Sequence, residues 1–226
     1  MKKRIITLLA AAIMMSSAFY AQGNLEVTDK TAFIFPGKDS GYFYARVENT
    51  GSEPVAVGSG KLVLFSENDD ILETSDYVTP YPGNLILEPG DYTYISEFLW
   101  NSALKNQTVG DVKFSIEGTD RGKQAEKIPC EASFELNGSD SYDNYVYITC
   151  TNDSDEIRYG YYLVTAFFDP DGALVYVDKN RYERIGLHPG STQTTALYID
   201  GDIVDYFESN HIEIGSVDAL VYYVSE

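Results

Sequence analysis

The chain has 226 residues, 44% of them hydrophobic, 14% aromatic and 23% charged, with 18 Gly, 8 Pro, two Cys, two His, one Trp and 19 Tyr. This is the composition of a folded protein, neither low-complexity nor disordered. Asp and Glu number 35 against 16 Lys and Arg, and a field of that sign excludes nucleic acid and anionic lipid surfaces as partners.

The first element is not part of the fold. Lys2, Lys3 and Arg4 precede an apolar stretch from Ile5 to Met15, and Ser16, Ser17 and Ala18 lead on to Ala21. Residues 1–21 therefore read as a secretory signal peptide. The apolar run is far shorter than the ~20 residues a membrane-spanning helix needs. Cleavage after Ala18 places small residues at both key positions, whereas cleavage after Ala21 leaves Phe19 three positions back; both cuts stay open. With the three leader cations removed, 13 cations face 35 acids, a net charge of −22. No Cys follows the run to take a lipid, and Val221 to Glu226 carry neither an anchor nor a basic tail. The expectation is a secreted or cell-envelope protein with no membrane insertion after cleavage.

Beyond the leader, one unit is written twice. A shift of 103 residues places Tyr42 to Asn49 on Tyr145 to Asn152, Glu53 on Glu156, Phe65 on Phe168 and Ile71-Leu72 on Leu174-Val175. After a three-residue deletion, Leu87-Glu88-Pro89-Gly90 meets Leu187-His188-Pro189-Gly190, and Phe98 meets Tyr198. Residues 24–118 form the first copy, the polar stretch 119–127 a linker, and residues 128–226 the second copy. Each is of ordinary domain size and is expected to close its own core.

In the first copy, Phe43, Ala45 and Val47 alternate with polar neighbours, the pattern of a half-buried strand, and the near-continuous run Leu62 to Phe65 suits a central or doubly buried one. Turns at Pro36-Gly37, Asn68-Asp69-Asp70 and Pro89-Gly90 separate the strands, and Asn101 to Asn106 is a short helical candidate. In the second copy the alternation runs through Ile128, Cys130, Ala132, Phe134 and Leu136, then Val146, Ile148 and Cys150. Leu163 to Phe168 repeats the apolar run, Asp169-Pro170-Asp171-Gly172 makes a hairpin, and Ile203 to Ser209 is a second short helix. Strands spaced this way predict an all-β chain of two tandem antiparallel sandwiches.

Each copy resembles the FxLYD-type immunoglobulin-like domain of exported bacterial proteins. The residues that carry the resemblance in the second copy are Asn152-Asp153-Ser154, Thr165-Ala166-Phe167-Phe168-Asp169 with Gly172, and Leu187-His188-Pro189-Gly190. In the first they are Asn49-Thr50-Gly51, Leu62-Val63-Leu64-Phe65-Ser66 and Leu87-Glu88-Pro89-Gly90. Leu62 and Thr165 replace the motif's Phe, Phe65 and Phe168 its Tyr, and Ser66 the first copy's Asp. The resemblance implies an immunoglobulin-like fold and an envelope setting, and it carries no catalytic residue with it.

Pairing two strands about Asp140 sets Cys130 opposite Cys150 on the inward face, where the first copy has Val27 and Val47. A disulfide is the expected state in an oxidising compartment, with reduced core thiols as the alternative. Without CxxC, HExxH, a P-loop or a nucleophile elbow, and with His188 and His211 read as surface residues, no enzyme, cofactor or metal centre is expected. Asp140, Asp143, Asp169, Asp171, Asp200, Asp202 and Asp205 fall at one pole of an immunoglobulin-like second copy, where they could gather calcium or serve simply as soluble turn formers. The alternation puts Tyr42 and Tyr44, and likewise Tyr145 and Tyr147, on outer sheet faces. These four residues are the candidate surface for a protein or glycan of the envelope or host, or else cross-strand packing partners. The functional expectation is a non-enzymatic binding module, with an architectural spacer or a calcium-stabilised adhesin-like unit as alternatives.

Overall fold

The computed structural model describes residues 24–138, 144–182 and 186–224. The leader and the turn residues Asp140 and Asp143 lie outside the described residues. The chain is all-β, with one short α-helix among the described residues. In the first half, β1 (Leu25–Ile34), β2 (Ser40–Asn49) and β6 (Tyr92–Trp100) form sheet I in the order β1-β2-β6. Sheet II centres on β3 (Val55–Ser66), with β4 (Ile71–Val78) and the short β5 (Ile86–Leu87) along one edge and β7 (Val109–Thr119) along the other.

In the second half, β8 (Ala125–Ile128), β11 (Tyr161–Phe168), β12 (Leu174–Tyr182) and β14 (Ser216–Val224) make sheet III in the order β12-β11-β14-β8. Sheet IV joins β9 (Cys130–Glu135), β10 (Tyr145–Thr151) and β13 (Thr192–Tyr198) in the order β13-β10-β9. Every pairing between these strands is antiparallel.

Period-two alternation builds each half. Phe43 projects from sheet I to meet Phe114 of sheet II, ring centroids 4.8 Å apart. Phe134 of sheet IV meets Phe167 of sheet III at 5.9 Å. Burying a side chain of this size stabilises by about 1.5–3 kcal/mol. Helix α1 (Gly201–Ser209) carries the chain from sheet IV back to sheet III and buries Ile203, Val204 and Phe207. Its N-cap is Asp200, whose side chain accepts the Asp202 N–H.

The duplication extends to individual hydrogen bonds. Asn49 is buried, and its Nδ2 donates to Glu53 O and Leu87 O, both at 2.9 Å, while its Oδ1 accepts from Gly51 N at 3.0 Å. Asn152 does the same with Glu156 O and Leu187 O, both at 2.8 Å, and Ser154 N at 3.1 Å. In each half the same Asn also accepts, through its backbone oxygen, the N–H of the Pro-Gly glycine, Gly90 or Gly190. One amide thus ties the turn after the second strand of each half to the Leu-x-Pro-Gly segment.

The hairpins match as well. Ser66 Oγ accepts from Asn68 N and Asp70 N, both at 3.2 Å, as Asp169 Oδ1 accepts from Asp171 N at 3.0 Å and Ala173 N at 2.8 Å. Asp69 occupies the left-handed conformation (φ 65°) where the second half has Gly172 (φ 87°). The substitution of Ser for the motif's Asp therefore preserves the turn, because a hydroxyl accepts the same two N–H groups.

Two expectations change. The polar stretch 119–127 is not wholly a connection, since Thr119 ends β7 and Ala125 to Lys127 belong to β8. The alternation from Ile128 to Leu136 is not one strand. Ile128 pairs with Val221 in sheet III and Cys130 with Cys150 in sheet IV, and the chain changes sheets at Pro129, which has no N–H to continue a ladder. Each half closes a core between its own two sheets, and the buried residues of the contact between the halves join those cores into one cluster. Of the helical candidates, the first is a single 3-10 turn, Ser102–Leu104, and the second is α1.

Asn49→Ala should lower stability by about 2–3 kcal/mol in urea titration, since it strips a donor from buried carbonyls. Asn152→Ala should cost less, because Ser154 Oγ, where the first half has Gly51, still donates to the Glu156 carbonyl.

Candidate functional site

The outer face of sheet I, expected to be open, is covered by sheet III. Tyr44 is fully buried, with its ring edge-on to Tyr176 at 5.6 Å. Tyr42 is half-buried, stacked on Tyr44 at 5.6 Å and against Phe98 at 5.2 Å. On the same face Phe33 stacks on Tyr206 of α1 at 4.0 Å, and Tyr94 meets Phe168 at 6.1 Å. The layers therefore run sheet II, sheet I, sheet III, sheet IV. Tyr42 and Tyr44 do sit on the outer side of their strand, but that side is the seam between the halves and not a free surface.

Polar groups pin the seam. Tyr92 Oη and Tyr94 Oη both donate to Asp218 Oδ2, at 2.8 and 2.7 Å. Lys179 Nζ donates to Ser96 O at 2.6 Å, Leu174 N to Asp29 Oδ2 at 2.8 Å, and Tyr222 Oη to Tyr92 O at 3.2 Å. The ion pairs Lys127–Asp91 and Lys38–Asp202, each 2.6 Å, close two flanks. Burial first, and the Asp218 carboxylate second, push the Tyr92 hydroxyl up to about 12 and raise that of Tyr94 as well.

Among the described residues no sheet covers the matching face of sheet IV. Tyr145 and Tyr147 lie there half-buried, their rings 6.1 Å apart. Tyr147 Oη donates to Glu135 Oε2 at 3.1 Å. Tyr198, directly opposite Tyr145 and 6.0 Å from it edge-on, is 45% exposed. Along the same face Thr149 and Thr194, and Thr151 and Thr192, share hydroxyl hydrogen bonds of 2.8 Å.

Tyr198 is the counterpart of Phe98, which stands opposite Tyr42. The repeat thus carries three aromatics, and the third was detectable from the Phe98–Tyr198 match. Elsewhere in the second half, Tyr161 is buried in the interior, Tyr162 packs on Tyr81 and Tyr159 is exposed. Phe98 and Trp100, 53% and 76% exposed, mark where sheet I runs out beyond its cover.

Cys130 and Cys150 stand directly opposite each other, as Val27 and Val47 do in the first half. The neighbouring bond from Thr151 N to Pro129 O makes the cysteines a non-hydrogen-bonded pair, the closer of the two cross-strand spacings. Both are thiols in this structure, and Cys130 Sγ donates to Ala219 O at 3.2 Å. Burial pushes the Cys130 thiol up to about 11 and raises that of Cys150 too, which makes both poor nucleophiles.

Three of the acids expected at one pole have other partners. Asp169 shapes its hairpin, Asp200 caps α1 and Asp202 pairs with Lys38. Among the described residues no three potential metal ligands come together. His188 and His211 are both exposed.

The raised Tyr92 hydroxyl gives the seam a pH dependence of defined sign. Its neutral form is favoured in the folded protein, so the stabilisation is complete below pH ~10 and is lost as pH rises through ~12. Asp218→Ala should bring the Tyr92 hydroxyl back toward 10, read by tyrosinate absorbance, and should weaken the seam by about 3 kcal/mol. Faster amide exchange in sheets I and III would report the weakening.

No family model matches the chain, and no curated protein matches it. Among solved structures it is similar to a calcium-binding mutant of Bacteroides uniformis beta-glucuronidase 2, at 12% identity and a TM-score of 0.22, over 79% of this chain and 28% of that one. A Bacteroides uniformis beta-glucuronidase (12%, TM-score 0.22) and a beta-glucuronidase from glycoside hydrolase family 2 (9%, TM-score 0.21) match over 71% and 84% of this chain. The chain spans about a fifth of the length of each of these two.

Proposed function

We propose that this chain is an exported bacterial, non-enzymatic binding module of the cell envelope. It consists of two tandem immunoglobulin-like sandwiches of the FxLYD type, and the outer face of sheet IV is its docking surface for a protein or glycan. The observation that carries the reading is the unequal fate of the repeated aromatics. One set is enclosed in the seam, while Tyr145, Tyr147 and Tyr198 lie on a face that no sheet covers among the described residues. Tyrosine offers a large contact area at little side-chain entropy and keeps a polar tip for hydrogen bonding. The flanking threonines and Glu131, Ser133 and Glu135 supply further polar groups along that face.

The leader pattern at residues 1–21 supports export, and the cysteine register supports a Cys130–Cys150 disulfide in the exported protein. An extracytoplasmic thiol oxidant would take up the two protons and two electrons released as the S–S bond forms. A cross-link closing a loop of this length stabilises by about 3 kcal/mol in the chain-entropy model. Protein recovered from the exported fraction should be two hydrogens lighter than its reduced form and should not react with a thiol reagent after unfolding; two reactive thiols would remove the disulfide.

A spacer role is the second reading, and the pinned seam favours it, since it fixes the two halves as one body. The triple variant Tyr145→Ser, Tyr147→Ser, Tyr198→Ser separates the two. Cross-strand tyrosine pairs contribute only about 0.2–1 kcal/mol each, so the variant should stay folded. On the binding reading it should lose retention of envelope or culture components at least tenfold. Retention equal to the parent protein would leave the spacer.

A further inference from the structure

The docking of the two halves creates a cleft that neither has alone. It has a volume of about 390 Å³ and lies between the end of β1, the loop leading into β7 and the last turn of α1. Its apolar wall is the half-buried Tyr206 of the second half, which stacks at 4.0 Å on Phe33 of the first half, a residue only 5% exposed. Asn106, Gln107, Thr108 and Asn210 supply the polar lining. Asn106 holds a left-handed conformation (φ 59°) just after the 3-10 turn, where Gln107 N donates back to Leu104 O. Asn210, beyond the C-terminus of α1, donates from Nδ2 to the Tyr206 backbone oxygen at 2.8 Å, which holds its amide against the last turn of the helix.

The chemistry of this lining is selective. No charged side chain lines the cleft, although the chain as a whole carries −19. The Lys38–Asp202 ion pair, 2.6 Å, lines a second recess that shares Pro36 and Tyr206 with the cleft. Without a cation the cleft offers nothing to hold a phosphate or carboxylate, and without a carboxylate it offers nothing to hold a metal ion or an amine. It presents primary amides and a hydroxyl, each of which can both donate and accept, beside an aromatic wall.

Vicinal hydroxyls likewise donate and accept, and a sugar ring also has an apolar C–H face that packs on aromatic rings. The volume falls at the lower end of the ~300–1,000 Å³ range of small-ligand sites, room for a small sugar. We propose that the cleft between the halves binds a neutral saccharide, with Asn106, Gln107, Thr108 and Asn210 as its hydrogen-bonding residues and Tyr206, backed by Phe33, as its apolar wall. This site is separate from the sheet IV face, and because both halves build it, an occupied cleft also holds the seam closed.

The test is titration of the mature, isotope-labelled protein with a panel of neutral disaccharides, followed by amide NMR. At least one sugar should bind with a Kd of about 1 mM, shifting amides in 32–37, 106–109 and 206–210. The double variant Asn106→Gly, Gln107→Ala, in which glycine accepts the left-handed backbone, should bind at least tenfold more weakly at an unchanged melting temperature. The uronic acid counterpart of the bound sugar should bind less well, and Tyr145→Ser, Tyr147→Ser, Tyr198→Ser should bind equally. The proposal is overturned by the absence of cleft shifts with every sugar, by shifts confined to sheet IV, by full binding in the double variant, or by tighter binding of the uronic acid. Loss of cleft binding in the triple variant would also overturn it, whereas failure of the sheet IV reading alone leaves it standing.

Discussion

One carboxylate organises the centre of this molecule. Asp218, on the outer face of β14, accepts hydrogen bonds from two tyrosine hydroxyls of the other half, 2.8 and 2.7 Å away. Bonds to a charged acceptor are about twice as strong as neutral ones, and these two bring sheet III flat against sheet I. The long apolar runs make sense once that contact exists. In β11, Leu163 and Phe167 face the second half's own interior while Val164 and Ala166 face the seam, and all four are buried. Its counterpart β3 lies in the outer sheet II, so Leu62 and Leu64 are buried while Val63 and Phe65 stay half-exposed.

Within each half the fixed points are polar. A buried asparagine amide clamps the turn after the second strand to the Leu-x-Pro-Gly segment, in both halves and with nearly the same distances. Around that clamp the residue types drift while the physical roles hold. A hydroxyl at Ser66 does what the carboxylate of Asp169 does, and Asp69 adopts the backbone that Gly172 adopts. Valine contacts valine where cysteine faces cysteine. A short polar side chain can cap a turn in several chemical forms, and a cross-strand apolar site needs only volume, so such positions vary without moving the backbone.

Duplication followed by docking divides the labour between equivalent surfaces. The first half gives up its aromatic face to hold the second, and the second keeps the corresponding face open. The same docking encloses a neutral, amide-lined cleft in a strongly acidic protein. The molecule therefore carries two separate surfaces of different character: a broad tyrosine and threonine face on sheet IV, and a small recess at the join.

The sequence by itself determined the β periodicity, the repeat, the turn chemistry and the side of each strand on which a residue falls. Those properties are local: alternation follows from the pleat, and Pro-Gly or Asp-x-x-Gly turns from backbone sterics. The register that sets Cys130 against Cys150 was equally legible, because the turn fixes the pairing. Only the tertiary structure decided which outer faces meet. Tyr42 and Tyr145 occupy equivalent positions with equivalent neighbours, yet one lies in the seam and the other on an open sheet. That difference depends on what sheet III presents, on Asp218 and Lys179 more than a hundred positions away, and period-two alternation carries no information about a partner at that distance.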